Sequence, residues 1–202
     1  PIAIPTLADD VAAVISSVEP GRAHIVGHSL GGVIAQDLLV RHGPRCGAAV
    51  LVSTSSKVGT QAAEGWRRLA DVVEQRGAVG EGGSARAFSQ AFADRHPELV
   101  AEQGRISASA DAAVYAAQAR AASSYDYSGA LAGVENPVLV MQGLADRMTS
   151  PGGSVLLSRA IAHSELQMIE GVGHNLHLEM GQRFVDVVLA FLSRHDARWR
   201  SG

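Results

Sequence analysis

Between Arg22 and Gly43 the sequence RAHIVGHSLGGVIAQDLLVRHG leaves no room for a linker. An apolar run at 22–28 hands over to a helical run across one serine, and that junction limits the possible folds more than any other stretch. A second all-apolar run, AAVLVST at 48–54, follows the helix. Strands without a polar face on either side of a helix argue for a parallel sheet covered by helices on both faces. The pattern returns in NPVLVMQG and SELQMIEG, separated by the helical PGGSVLLSRAIA and followed by the amphipathic QRFVDVVLAFLSRH. The expectation is an α/β chain with four visible strands near 23–28, 48–54, 137–142 and 165–170.

Upstream, TLADDVAAVISSV reads as a helix capped by the Thr6 hydroxyl, with acids in its first turns and Pro20-Gly21 as its stop. The segment 57–127 has a different character, rich in Ala, Arg, Gln and Glu with no strand-like run. It reads as a helical lid inserted between two strands of a core formed by 1–56 and 128–196, with 197–202 as a frayed tail.

Gly27-His28-Ser29-Leu30-Gly31-Gly32 contains a G-x-S-x-G sequence at the strand-to-helix junction. A serine on so sharp a turn takes a strained backbone, and side chains at Gly27 and Gly31 are expected to crowd it. The turn lifts the Ser29 hydroxyl clear of the sheet and aims the N-terminus of a helix at the reacting centre, where developing negative charge is favoured. A glycine turn with an incidental serine is the plainer alternative. Asp146, in QGLADRM, follows the third strand on the edge where active sites of parallel sheets assemble. Alone it reads equally as a turn or N-cap aspartate. His174, in EGVGHNLHLE, follows the last strand on a glycine-rich loop, and alone reads equally as a surface histidine. His177 falls where the next helix begins and is the weaker candidate, while His28 belongs to the elbow and reads as structural. Ser53-Thr54 ends the second strand with no carboxylate behind it. The order Ser29, Asp146, His174, each after its own strand, is what a nucleophile, acid and base on this fold require.

GHSLGG, QGLAD and GVGH resemble the nucleophile elbow, acid turn and histidine loop of the α/β-hydrolase superfamily, and the helix holding Asp9 and Asp10 resembles the one before that family's elbow strand. The likeness runs from about Thr6 to about His195 and is nearest to lidded, cofactor-free esterases and lactonases, including enol-lactonases and the non-haem haloperoxidases. Serine at the elbow sets the chain apart from haloalkane dehalogenases and epoxide hydrolases, which carry aspartate there. The resemblance implies a serine hydrolase acting on a small or medium, largely apolar ester or lactone, with the Leu30 N–H as one oxyanion donor. It also implies strands and a second oxyanion donor upstream of Pro1, an exposed edge at 23–28, and a poorly soluble or inactive product if this chain stands alone. Trp66, Phe88, Phe92, Tyr115 and Tyr125 are candidates for an acyl pocket, or else for ordinary core packing. A C–C bond hydrolase or perhydrolase on the same residues, a non-catalytic ligand-binding member and an inactive fragment are the rival readings.

Composition narrows the partners. The 202 residues suit one domain, and a net charge of −3 with pI near 6.3 gives no electrostatic reason to expect nucleic acid or an anionic membrane. One cysteine, Cys46, makes no disulfide or thiolate metal set, so a reducing cytoplasm is the default. A chain that opens at Pro1 leaves a leader peptide open. GHSLGG lacks the lysine of a phosphate loop, so no nucleotide, metal or flavin is expected. Oligomeric state is not legible.

Overall fold

The parallel sheet expected from the apolar runs is present, in strand order β1-β2-β3-β4. The structure, a computed structural model, describes residues 2–18, 22–80 and 83–199. Along the chain come α1 (Ile4–Ser16), β1 (Ala23–His28), α2 (Leu30–His42) and β2 (Cys46–Val52). Four helices follow before the next strand: α3 (Thr60–Arg76), α4 (Gln90–Arg95), α5 (Pro97–Ala108) and α6 (Ala112–Ala122). Then come β3 (Val138–Gly143), α7 (Pro151–Ala160), β4 (Ser164–Ile169), α8 (Leu176–Met180) and α9 (Gln182–Trp199).

Alternation along the two central strands sends side chains to two separate cores. Ala49 and Leu51 of β2, with Val138 and Val140 of β3, meet Ala8 and Ala12 of α1, Leu38 of α2 and Leu157 of α7. Ala48, Val50 and Val52, with Leu139 and Met141, face Leu176 of α8 and Val188 and Phe191 of α9. Each large side chain removed from water in this way contributes about 1.5–3 kcal/mol before entropy is charged against it. β2 and β3 are therefore apolar save for the buried Gln142 near the end of β3. The outer strands differ: Val26 on β1 is 50% exposed, and β4 alternates, its exposed Glu165 pairing with Arg194 at 2.8 Å. Among the described residues, no helix is long and apolar enough to cross a membrane.

Three local expectations need correction. The first helix opens at Ile4, two residues before Thr6, because Pro5 occupies the first turn, where its fixed φ suits a helix. Its N-cap is Ala3, with no side-chain hydrogen bond. Asp9 lies beyond the first turn and ties α1 to α2 through Arg41 at 2.6 Å and His42 at 2.8 Å. The expected stop at Pro20-Gly21 lies outside the described residues. Of the tail expected at 197–202, residues 197–199 continue α9, which runs to Trp199 because Ala197 and Arg198 favour a helix; 200–202 lie outside the described residues. Crowding in the elbow falls on Gly27 and Gly32 rather than Gly31. A Cβ on Gly27 would lie 2.5 Å from the Gly31 carbonyl oxygen, and one on Gly32 would lie 2.7 Å from Thr54 Cγ2, whereas Gly31 faces open space.

The helices between β2 and β3 leave and rejoin the core at one place. Lys57 bridges Asp126 in an antiparallel rung and pairs with its carboxylate at 2.7 Å. Tyr127 N–H donates to the Ser56 carbonyl at 2.8 Å, and Val58 N–H to that of Tyr125 at 3.2 Å. Above this neck α3 packs on α6 through Ala70, Val73, Ala116 and Ala119, and Arg120 reaches back to Asp71 at 2.9 Å and Glu74 at 2.6 Å.

Candidate active site

Parallel strands deliver their carboxyl ends to one rim, and four loops meet there. Ser29 follows β1 at φ 54° and ψ −117°, in the positive-φ half of backbone space that a residue with a side chain avoids. Holding it there costs about 1–3 kcal/mol, which the surrounding structure must supply. Its N–H donates to the Val52 carbonyl at 2.9 Å, and α2 begins at the next residue. Leu30, as the first residue of α2, has an N–H with no intrahelical acceptor. His28 projects from the same turn.

Asp146 makes a turn's contacts through one oxygen and holds a histidine through the other. Its Oδ1 accepts the N–H groups of Met148 at 2.7 Å and Thr149 at 2.9 Å, which is the turn aspartate. Its Oδ2 accepts His174 Nδ1 at 2.9 Å and the Gln142 amide at 2.9 Å. The carboxylate is wholly buried and the imidazole side chain 4% exposed. Burial alone would raise the Asp146 pKa. The His174 bond and charge, with the Thr149 N–H and the Gln142 amide, outweigh it and hold the carboxyl below the ordinary range. An ionised acceptor on Nδ1 keeps that nitrogen protonated, which leaves Nε2 as the basic atom of a neutral ring.

The backbone of His174 is held as firmly as its ring. Its carbonyl accepts the Ser53 hydroxyl at 2.8 Å and His28 Nε2–H at 2.9 Å. Burial, then the charge of His174, push the His28 imidazole down to about 4, so it stays neutral and able to donate. His28 is thus a support for the histidine loop, and its ring lies 4.8 Å from that of His174 and 5.1 Å from that of His177. His177 lies on α8, outside the Asp146–His174 pair.

Ser29, Leu30 and His174 line a common cavity of about 580 Å³. No hydrogen bond joins the Ser29 hydroxyl to the imidazole among the described residues, and such contacts commonly tighten only when substrate binds. Trp66, Tyr115 and Tyr125 line the cavity as the sequence suggested. Phe88 and Phe92 do not: both are buried and stack on one another with ring centroids 5.4 Å apart. Among the described residues no group of His, Cys, Asp and Glu is arranged to hold a metal ion.

Two contributors went unread in the sequence. Gln142 is fully buried on β3, donates to Asp146 and accepts the Ser154 hydroxyl at 2.7 Å. Its signal was a lone amide inside an otherwise apolar strand. Ser53 was noted only for the absence of an acid after it, yet it is buried at φ 49° and anchors His174.

A nucleophile elbow, a buried carboxylate–imidazole pair and a sequential parallel sheet define a class of protein. A model of the alpha/beta hydrolase family matches residues 1–187, and the chain belongs to that family. Its relatives are more particular. It is 28% identical over 196 residues to 3-oxoadipate enol-lactonase 2 of Acinetobacter baylyi, covering 96% of this chain and 72% of that one. The solved structure of a hydrolase from Pseudomonas aeruginosa superimposes with TM-score 0.84 at 27% identity, over 95% of this chain and 72% of the other. That of the enol-lactonase from Burkholderia xenovorans gives 0.78 at 25% identity, over 95% and 74%.

Proposed function

We propose that this protein is a serine hydrolase that cleaves a small or medium, largely apolar carboxylic ester or lactone through an acyl-enzyme. The observation that carries the reading is the buried Asp146–His174 pair opening on the same cavity as the strained Ser29. Ser29 Oγ attacks the carbonyl carbon while His174 Nε2 takes the hydroxyl proton. The oxyanion that forms accepts the Leu30 N–H at the N-terminus of α2. When the tetrahedral species collapses, the same proton passes to the departing alkoxide and the acyl group stays on Ser29. Water then repeats the sequence, releasing the acid and restoring the hydroxyl. Asp146 keeps the imidazole in the required tautomer and stabilises its cation. Similarity to two enol-lactonases supports ester or lactone chemistry. Residues 57–127 are read as the lid over a core of 1–56 and 128–196, and Trp66, Tyr115 and Tyr125 as its acyl-facing surface. A fluorophosphonate probe tests the reading: intact mass should reveal one adduct, mapped to Ser29 and absent from Ser29→Ala. Turnover of a simple ester should fall at least about 10³-fold in that variant without loss of folding. An adduct elsewhere, or undiminished turnover, would remove Ser29 from the role.

A further inference from the structure

Asp146 and His174 sit on different loops, and a third segment grips both. Residues 85–90, from the helical insertion, lie across the rim between the two loops. From the histidine side, Glu179 on α8 reaches over with its carboxylate. Its Oε1 accepts Ser89 N–H and Gly173 N–H, each at 2.9 Å, and its Oε2 accepts the Ser89 hydroxyl at 2.6 Å. Asn175 N–H donates to the Ala87 carbonyl at 2.8 Å. The approach is so close that a Cβ on Gly173 would lie 2.3 Å from Ser89 N. From the acid side, Arg147 donates through its guanidinium to the carbonyls of Ala85 at 2.6 Å and Phe88 at 3.2 Å, and to Gln90 Oε1 at 3.1 Å. Arg86 returns a donor to the Arg147 carbonyl at 3.4 Å.

The polarity is complementary. The anion takes the donors of the segment and the cation takes its acceptors; Arg147 follows Asp146 in the chain, and Glu179 holds the N–H of Gly173, the residue before His174. Ser89 and Phe88 are buried, so the bonds to Glu179 are partly shielded from water, while Arg147 holds Ala85 and Gln90 at the surface; bonds to either ion are charge-assisted. We propose that residues 85–90 form a brace between the acid and histidine loops, with Glu179 and Arg147 as its two positioning residues. The brace fixes the separation of Asp146 and His174, so the insertion shapes the catalytic pair as well as the cavity. The inference rests on reading those two residues as acid and base.

A double-mutant cycle tests it, with Glu179→Ala, Arg147→Met and the two combined, and Glu179→Gln as the conservative variant. A brace released at either end no longer holds the loops, so each single change should lower kcat on the order of 10²-fold with KM moving much less. The double variant should be scarcely worse than either. Glu179→Gln should restore most of the rate, because its amide oxygen can still accept both N–H groups. The proton shared by His174 and Asp146, read far downfield by NMR, should broaden away in Glu179→Ala and persist in Glu179→Gln. Independent, additive losses would overturn the brace, as would a sharp downfield proton and unchanged kcat in a folded Glu179→Ala protein. Failure of the glutamine variant to rescue would overturn it too. Should Glu179→Ala fail to fold, Ser89→Ala takes its place in the cycle, since it deletes the bond to Oε2 and the cap on Phe92 N–H while leaving Ser89 N–H on Oε1. Absence of turnover in the unmutated protein would sink the proposed hydrolysis, while the downfield proton would still judge the brace.

Discussion

His28, beside Ser29, couples the stability of the fold to pH. His28 is neutral in the fold, pushed down to about 4, against an ordinary value of 6.5. The unfolded chain therefore takes up a proton that the folded chain refuses, so His28 supports full stability above about pH 6.5 and loses it progressively toward pH 4. His177 is shifted the same way, by burial and then by the charge of His174. Asp146, held below the ordinary carboxylate range, adds stability that disappears only under more acid conditions. Urea unfolding at pH 7 and pH 5 should differ by about 2 kcal/mol on account of His28. His28→Gln keeps a donor for the His174 carbonyl and should flatten that difference. Gln142 acts on the other side of the pair. Gln142→Leu removes a hydrogen bond to an ionised carboxylate, worth about 1.5–3 kcal/mol where the charge is buried. Turnover of a simple ester should fall about tenfold, with the melting temperature showing that the protein still folds.

Elements differ in how plainly the sequence announced them. β2 and β3 are apolar but for Gln142 and lie centrally, where both pleat faces must be covered, so composition alone located them within a residue or two. The start of α1 was misplaced because a threonine hydroxyl is a familiar cap, while Pro5 sets the first turn by fixing φ. Ser29, Asp146 and His174 stood out because each follows a strand, and strand ends are legible from apolar runs. Glu179 and Arg147 were not legible as a pair. They act on backbone groups of a segment some 60 to 90 residues away in sequence, and no local pattern encodes such a meeting. The five aromatics could not be sorted into pocket and core for a related reason: aromatic residues spaced through helices look alike whether they face a ligand or one another.

Over the whole molecule, packing is uneven. The sheet sits between two cores rich in Leu, Val and Ile, whereas the buried contact of α3 with α6 is made by Ala70, Ala116, Ala119 and Val73, with the half-buried Trp66, Leu69 and Tyr115 beside it. Smaller buried side chains contribute less per contact, so this layer should open before the sheet does. Hydrogen exchange followed by mass spectrometry should find the amides of β2 and β3 protected to the level of global unfolding. Those of α3 and α6 should exchange by a separate opening of lower free energy. Exchange of all four elements at one common free energy would mean that the alanine layer is bound to the core more strongly than its side chains suggest.

The neck at Lys57 and Asp126 brings the ends of the insertion side by side. A segment joined at one rung can be exchanged for another without redrawing the sheet, which is how a lineage acquires new preferences on an inherited scaffold. Here that freedom has a condition attached. Any replacement must still offer an N–H and a hydroxyl to Glu179 and two carbonyls to Arg147, or the new specificity arrives with a slackened Asp146–His174 pair. Six residues in the middle of an otherwise replaceable cassette are thereby tied to the ancestry of the loops beneath them.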